Sequence, residues 1–343
     1  KWTFMAHENA WDASYFEQIG LNELIEIDFE RIGSTFFDTG TALGDGLTEA
    51  AAAELGLDKG TPVAAGLIAA HAGGVGTIGA AGGAPTSRMA YVFGTSACTM
   101  SSSATQALVP GVWGPYYSAM VPGLWLSEGG QSAAGEAIAH LLKLHPAYDA
   151  FKAEAQSKGH SLPNYLLSLI EGRISDPSDA LTLIDQMIVV PEFLGNRAPF
   201  ADPEARGIVS GLTLTSDIES LVALYIAGIY GLGYGLKQIL DVQRENGVNP
   251  DTVVISGGAG ENPYVKQFLA DSANIKIAAS GSQEPVLLGS AMLGAVAAGT
   301  YSSGADAMSA MSSLGDVVEP KQIVSDAGKI TPLCNKRISG LGC

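Results

Sequence analysis

Residues 252–277, TVVISGGAGENPYVKQFLADSANIKI, constrain the fold more tightly than any other stretch of this chain. The β-branched run Val253, Val254 and Ile255 feeds a glycine pair, Gly257 and Gly258, and an amphipathic segment carrying Tyr264, Phe268 and Leu269 then runs to Asp271. This pattern predicts a strand, a tight turn, a helix and a short second strand ending near Ile277. Glycines at such a turn let backbone N–H groups approach an anion or a flat ring closely, and the helix behind them points the positive end of its dipole at the same spot. The turn reads either as a nucleotide cradle or as an ordinary α/β connection, and the rest of the chain has to decide.

A chain of 343 residues forms one large or two medium domains. With 47% hydrophobic and 15% charged residues it packs a core. Its 35 acidic and 18 basic residues give a formal charge of −17, which repels nucleic acid and anionic membranes. Any phosphate site must therefore be made locally, and neither DNA, RNA nor a membrane is expected as a partner. The three cysteines, Cys98, Cys334 and Cys343, are odd in number and form no CxxC pair, which predicts a reducing compartment without disulfides or zinc. The opening residues carry Trp2, His7, Glu8 and Asp12 and no apolar signal region. The uncharged run at residues 221–236 falls short of the roughly 20 residues a membrane helix needs, so it reads as a buried helix. A cytoplasmic protein is the expectation.

Periodicity predicts helices over residues 11–24, 47–55 (capped by Thr48, ended by Gly56), 127–145, 284–299 and 305–311. A capping box of Ser216 and Glu219 opens a longer helix to about Glu245. Strands are expected over residues 61–71, 88–93 and 187–193, with further strands joined by tight turns through the glycine, proline and aromatic run at 109–125. Residues 146–185 read as helical covering or an insertion. The alternation makes an α/β fold.

Several short motifs could carry chemistry. FFDTGT at residues 36–41 matches one half of an aspartic-protease signature, but that chemistry needs a second copy, and the chain has none. It therefore reads as a surface loop. Gly94, Thr95 and Ser96 close the strand at 88–93 and offer backbone N–H groups and two hydroxyls to phosphate oxygens, or form a plain polar turn. Glu128, Gly129, Gly130 and Gln131 are expected at a helix start, where Glu128 is either a sugar-binding carboxylate or a first-turn acid favoured by the dipole. His71 ends an apolar run and reads as a structural histidine, with no metal-ligand spacing around it.

Taken together, the stretches GTPVAAGLIAAHAGGVG, YVFGTSACTM, VPGVWGPYYSAMVPGLWLSEGGQSAAG, FLGNRAPFADPEARGIVSGL, VVISGGAGENP and EPVLLGSAMLGAVAAG resemble the FGGY family of carbohydrate kinases, in its ribulokinase-like branch. The resemblance spans most of residues 1–300. It implies an actin-like ATPase fold of two ribonuclease-H-like domains, with ATP and Mg²⁺ in the cleft and a pentulose such as D-ribulose deep between them. Residues 1–86 would be the end of the sugar-binding domain, 87–320 the nucleotide-binding domain and 321–343 an atypical tail. By the same resemblance Gly94, Thr95 and Ser96 match a phosphate element, and Gly257, Gly258, Ala259 and Asn262 match the adenosine motif. Gly130 would lie near the nucleotide, with Glu128, His71 and Gln131 toward the sugar.

Three departures from the family pattern stand out. The resemblance places the start of the chain inside the first domain, so the family's first phosphate hairpin and much of its sugar pocket are expected to be missing; the expected partners are a second copy in a homodimer or that portion as a separate chain, the latter completing the cleft. The family's catalytic aspartate belongs directly before Ala70, and Ala69 stands there. Without it, no residue is expected to deprotonate the sugar hydroxyl, and the chain is expected to be an impaired kinase or a non-catalytic binding module. Residues 321–343 lack the expected helical tail.

Overall fold

The computed structural model describes residues 4–79, 83–184 and 186–321. The readings made for Trp2, Cys334, Cys343 and nearly all of the tail fall outside them.

The chain opens with a two-stranded hairpin, β1 (Phe4–Met5) and β2 (Ala10–Trp11), followed by the short helices α1 (Ala13–Gln18) and α2 (Asn22–Glu26). The single helix expected over residues 11–24 is broken because Asp12 caps α1, accepting from the Tyr15 N–H at 3.3 Å, and Gly20 leaves it at φ +75°. Aromatic rings hold this region together: Phe4 stacks on Phe36 with centroids 3.7 Å apart, and Trp11 packs edge-on to Phe16. Helix α3 (Glu49–Leu55) has the expected ends, Thr48 as N-cap and Gly56 left-handed at φ +67°.

The strand expected at residues 61–71 is a correction. Its first half runs extended beside residues 41–43, with a single bridge between Ala42 and Ala64, and its second half enters helix α4 (Ala69–Ile78). A short apolar run does not distinguish a strand from a buried helix. Packing settles it here: Gly73, Gly76 and the partner Gly289 let α4 press against a second helix so closely that a Cβ on Gly76 or Gly289 would overlap the other backbone.

Four strands follow, β3 (Arg88–Phe93), β4 (Ala97–Ser103), β5 (Trp113–Tyr117) and β6 (Trp125–Gln131), and then α5 (Gly135–Lys143). The helix expected from residue 127 therefore starts eight residues later. Residues 125–131 pair with β4 from Ser103 opposite Trp125 to Ala97 opposite Gln131, and Gly130, at φ +140°, sits against the Ala97 carbonyl where a side chain has no room. The covering helices α6 (Tyr148–Ser157) and α7 (Leu162–Glu171) precede a two-stranded ribbon, β7 (Ile188–Val190) and β8 (Ile208–Ser210). Helix α8 (Ile218–Glu245) is capped by Asp217, which accepts from the Ser220 N–H at 2.9 Å, one residue beyond the expected Ser216. By length and apolar composition α8 could cross a membrane, yet 78% of its most apolar window is buried inside the fold.

The chain ends β9 (Thr252–Ser256), α9 (Pro263–Ala273), β10 (Lys276–Ser280), α10 (Pro285–Ala297), α11 (Gly304–Met311) and β11 (Leu314–Val318). The strand, turn, helix and strand expected over residues 252–277 are all present. The central sheet has the order β11-β10-β9-β3-β4-β6-β5, parallel at β10–β9 and β9–β3 and antiparallel elsewhere. Strand alternation divides its core. Met89, Tyr91, Phe93 and Ile255 face α8 and α9, whereas Ala90, Met100 and Leu126 face α4, α10 and α11.

Candidate functional site

The parallel register of β3 and β9, with Val92 opposite Ser256, delivers two turns side by side at one end of the sheet. Gly94, Thr95 and Ser96 make the first and residues 257–260 the second. Gly257 adopts φ +96° against the Phe93 carbonyl, a place no side chain could occupy. A Cβ on Gly258 would meet nothing within 4 Å, and one on Gly94 only the Ser96 carbonyl at 3.7 Å, so both glycines face open space. Asn262 holds the start of α9, accepting from the N–H groups of Tyr264 at 2.9 Å and Val265 at 3.2 Å. The carbonyls of Gly94 and Thr95 accept from Gly135 at 3.0 Å and Ala134 at 2.8 Å, which fixes the first turn to the entry of α5. The Thr95 and Ser96 side chains are exposed beside it. An open edge with bare backbone and hydroxyls next to a helix N-terminus suits a nucleotide. Ala259 lies in this turn; Gly130 lies inside the sheet opposite Cys98.

A second group lies on the face of β6 that packs toward α4. Glu128 is 2% exposed, yet both its carboxylate oxygens are engaged: one accepts from Arg197 Nη2 at 3.0 Å, the other lies 3.1 Å from His71 Nε2. His71 Nδ1 is 2.9 Å from the Ala119 carbonyl. A carbonyl can only accept, so Nδ1 is the donor in that contact and Nε2 is the ring nitrogen turned to the carboxylate. The Arg197 guanidinium lies 4.7 Å over the Trp113 ring and 3.3 Å from Cys98 Sγ. Glu128 thus ties β6, the first turn of α4 and the loop after β7 together.

Gln131 does not join it. Three residues along a strand reverses the side-chain direction, and Gln131 points to α8, where Nε2 donates to the Leu232 carbonyl at 2.9 Å and Oε1 accepts from Tyr91 at 2.6 Å. The helix-start placement of Glu128, Gly129, Gly130 and Gln131 is corrected accordingly. Arg197 is the residue that sequence reasoning missed; the polar loop GNRAPFADPEARG that carries it was the available signal. Asn196 organises that loop, donating to Glu192 at 2.8 Å and accepting from Phe200 N–H at 2.9 Å.

Burial pushes the Glu192 carboxyl up to about 7 from the usual 4.5, against the opposing hydrogen bond from Asn196. The folded state therefore holds this proton more tightly than the unfolded chain. That stability is fully present below pH 4.5 and is lost as pH rises through about 7. Urea titrations across this window are expected to show the protein losing about 2–3 kcal/mol relative to Glu192→Gln. Parallel curves for the two proteins would refute the assignment.

A cavity of about 1020 Å³ opens beside the first turn of α4, with His71, Ile68, Tyr116, Phe4, His7 and Asp38 in its wall. Ala69 is exposed at the first position of that helix, directly after Ile68. Among the described residues no group of three or more His, Cys, Asp or Glu side chains could hold a metal ion.

A mixed sheet between helical layers, carrying paired glycine turns at one end and a cavity beside α4, makes this an α/β protein with an open backbone edge suited to an anion. Comparison with known proteins makes this specific. The C-terminal domain of the FGGY family of carbohydrate kinases matches residues 89–298, and the chain belongs to that family. It is 41% identical over 329 residues to an FGGY carbohydrate kinase domain-containing protein of Danio rerio, covering 93% of this chain and 60% of the relative. A D-ribulokinase of Saccharomyces cerevisiae is 32% identical over 312 residues, covering 84% of this chain and 44% of that protein. The structure of a ligand-bound xylulose kinase from Lactobacillus acidophilus superposes with a TM-score of 0.73 at 18% identity, covering 97% of this chain and 61% of that one. The fold is the actin-like ATPase fold. The chain spans about 60% of the length of the vertebrate relatives.

Proposed function

We propose that the protein carrying this chain is a pentulose kinase that transfers the γ-phosphoryl group of ATP to a hydroxyl of D-ribulose or a related ketose. The observation that carries this reading is the pairing of the turns at residues 94–96 and 257–260 in a chain of the FGGY family. Relatives named D-ribulokinase and ribulokinase, each 32% identical, support the sugar. The bare backbone at Gly94 and Gly258 and the hydroxyls of Thr95 and Ser96 would receive the phosphates, with α9 behind the adenosine side. Mg²⁺, which kinases hold largely through phosphates and water, would supply counter-charge. His71 and Glu128 would shape the sugar side, held in place by Arg197.

Ala69 takes the position of the family's proton-accepting aspartate, so the rate should be low; losing a general base costs about 10² to 10⁴. The same residue favours a second reading, a binding module that holds nucleotide or sugar and works through a partner. Formation of ribulose phosphate and ADP from D-ribulose and ATP, followed in the protein and in Ala69→Asp, separates the two. Turnover in either protein supports the kinase; ligand binding with no turnover in both supports the module.

A further inference from the structure

Four side chains in the wall of the cavity beside α4 belong to types that accept a proton near neutral pH: His7, Asp12, Asp38 and His71. Three are committed. Asp12 accepts from the Ser14 hydroxyl at 2.6 Å and the Tyr15 N–H at 3.3 Å, bonds that hold its carboxyl below the usual range. His7 lies 3.5 Å from Glu8 and packs on Trp125 with ring centroids 4.9 Å apart. His71 is fixed between Ala119 and Glu128. The Asp38 carboxylate is exposed and has no hydrogen-bond or ion-pair partner among the described residues.

Its position follows from backbone pairing. Leu43 donates to Val63, Ala65 to Thr41 and Gly40 to Ala65, each at 2.8 Å, so residues 40–43 run antiparallel to residues 63–65. Two more residues along that course bring Asp38 alongside the run entering α4, and Asp38, Gly66, Leu67 and Ile68 all line the cavity. Ala69 comes next in the chain. The FFDTGT motif, which read as a surface loop, thus carries a free carboxylate to the neighbourhood where the family's aspartate is missing.

We propose that Asp38 is the general base of this protein, standing in for the carboxylate absent at Ala69; this rests on the kinase reading above. A hydroxyl of the bound sugar gives its proton to an Asp38 oxygen as the hydroxyl oxygen forms a bond to the γ-phosphorus of ATP. The bond from that phosphorus to the β,γ-bridging oxygen breaks, ADP leaves with the electron pair, and Asp38 returns its proton to water. A carboxylate on a loop is positioned less rigidly than one on a helix, so the expected reaction is slow.

Four forms of the protein test this: unmodified, Asp38→Asn, Ala69→Asp and the double variant. ADP release with D-ribulose gives the rate, and calorimetric titration of D-ribulose without nucleotide gives binding. The expected result is slow turnover by the unmodified protein and a kcat lower by about 10²-fold or more in Asp38→Asn. Sugar binding should weaken by less than about fivefold, since a hydrogen bond to a hydroxyl is retained by the amide. The double variant should keep the activity of Ala69→Asp, because the restored aspartate takes the proton. Equal rates for the unmodified protein and Asp38→Asn, or no turnover by the unmodified protein, would overturn the proposal. If Ala69→Asp then turns over, the kinase reading survives alone. If no form turns over or binds D-ribulose, both fail.

Discussion

Ala69→Asp is expected to raise the rate of ATP-dependent D-ribulose phosphorylation by about 10²-fold or more, with a much smaller change in KM. Ala69 is the first residue of α4, exposed, and one residue from Ile68 in the cavity wall. A carboxylate there stands on a helix packed tightly against α10, so it is held more firmly than Asp38 on its loop. The substitution should also be tolerated. An acid in the first turn interacts favourably with the helix dipole, by about 0.3–1 kcal/mol, and α4 has no acidic residue there now. A rate increase with an unchanged or slightly higher melting temperature is the signature of a repaired proton acceptor. An unchanged rate in a folded protein that binds both substrates would show that position 69 does not face the reacting hydroxyl.

Glu128→Ala is expected to cost about 3–5 kcal/mol of folding stability. That is a large share of the roughly 5–15 kcal/mol that holds a domain together. The side chain is buried, and its removal strands the Arg197 guanidinium and the His71 ring, both of which lie against it. Glu128→Gln should cost less, since the amide oxygen still accepts from Arg197 while the charge is lost. Chemical denaturation of both variants checks the order. A Glu128→Ala protein as stable as the parent would mean that the buried pairs contribute nothing and that their role lies in ligand binding alone.

Local signals account for what was readable from the sequence. The β-branched run, glycine pair and amphipathic segment at residues 252–277 specify their own geometry, as do Thr48 and Gly56 around α3. The two turns were recognisable separately, and only the β3–β9 register places them together. Long-range contacts account for what was not. Glu128 next to two glycines fits a helix entry as well as a strand; what makes it a strand is pairing with β4 and burial on both faces of the sheet. Its partners lie 57 and 69 residues away, beyond the reach of any local pattern. The apolar run before His71 carried no periodicity to separate strand from helix, and the close crossing of α4 and α10 decided it. Asp38 became visible as a cavity residue only through backbone bonds to residues 61–65.

The central claim is that the paired turns hold a nucleotide, and melting temperature against ADP concentration, for the protein and for Gly258→Val, tests it most directly. A ligand at ten times its Kd adds about 1.4 kcal/mol to the folded state. Millimolar ADP should therefore raise the melting temperature of the protein by about two degrees. Gly258→Val fills the open space beside Gly258 without touching the core, so it should melt normally without ADP and fail to respond to it. No response in the unmodified protein, or an equal response in both, would contradict the placement of the nucleotide at these turns.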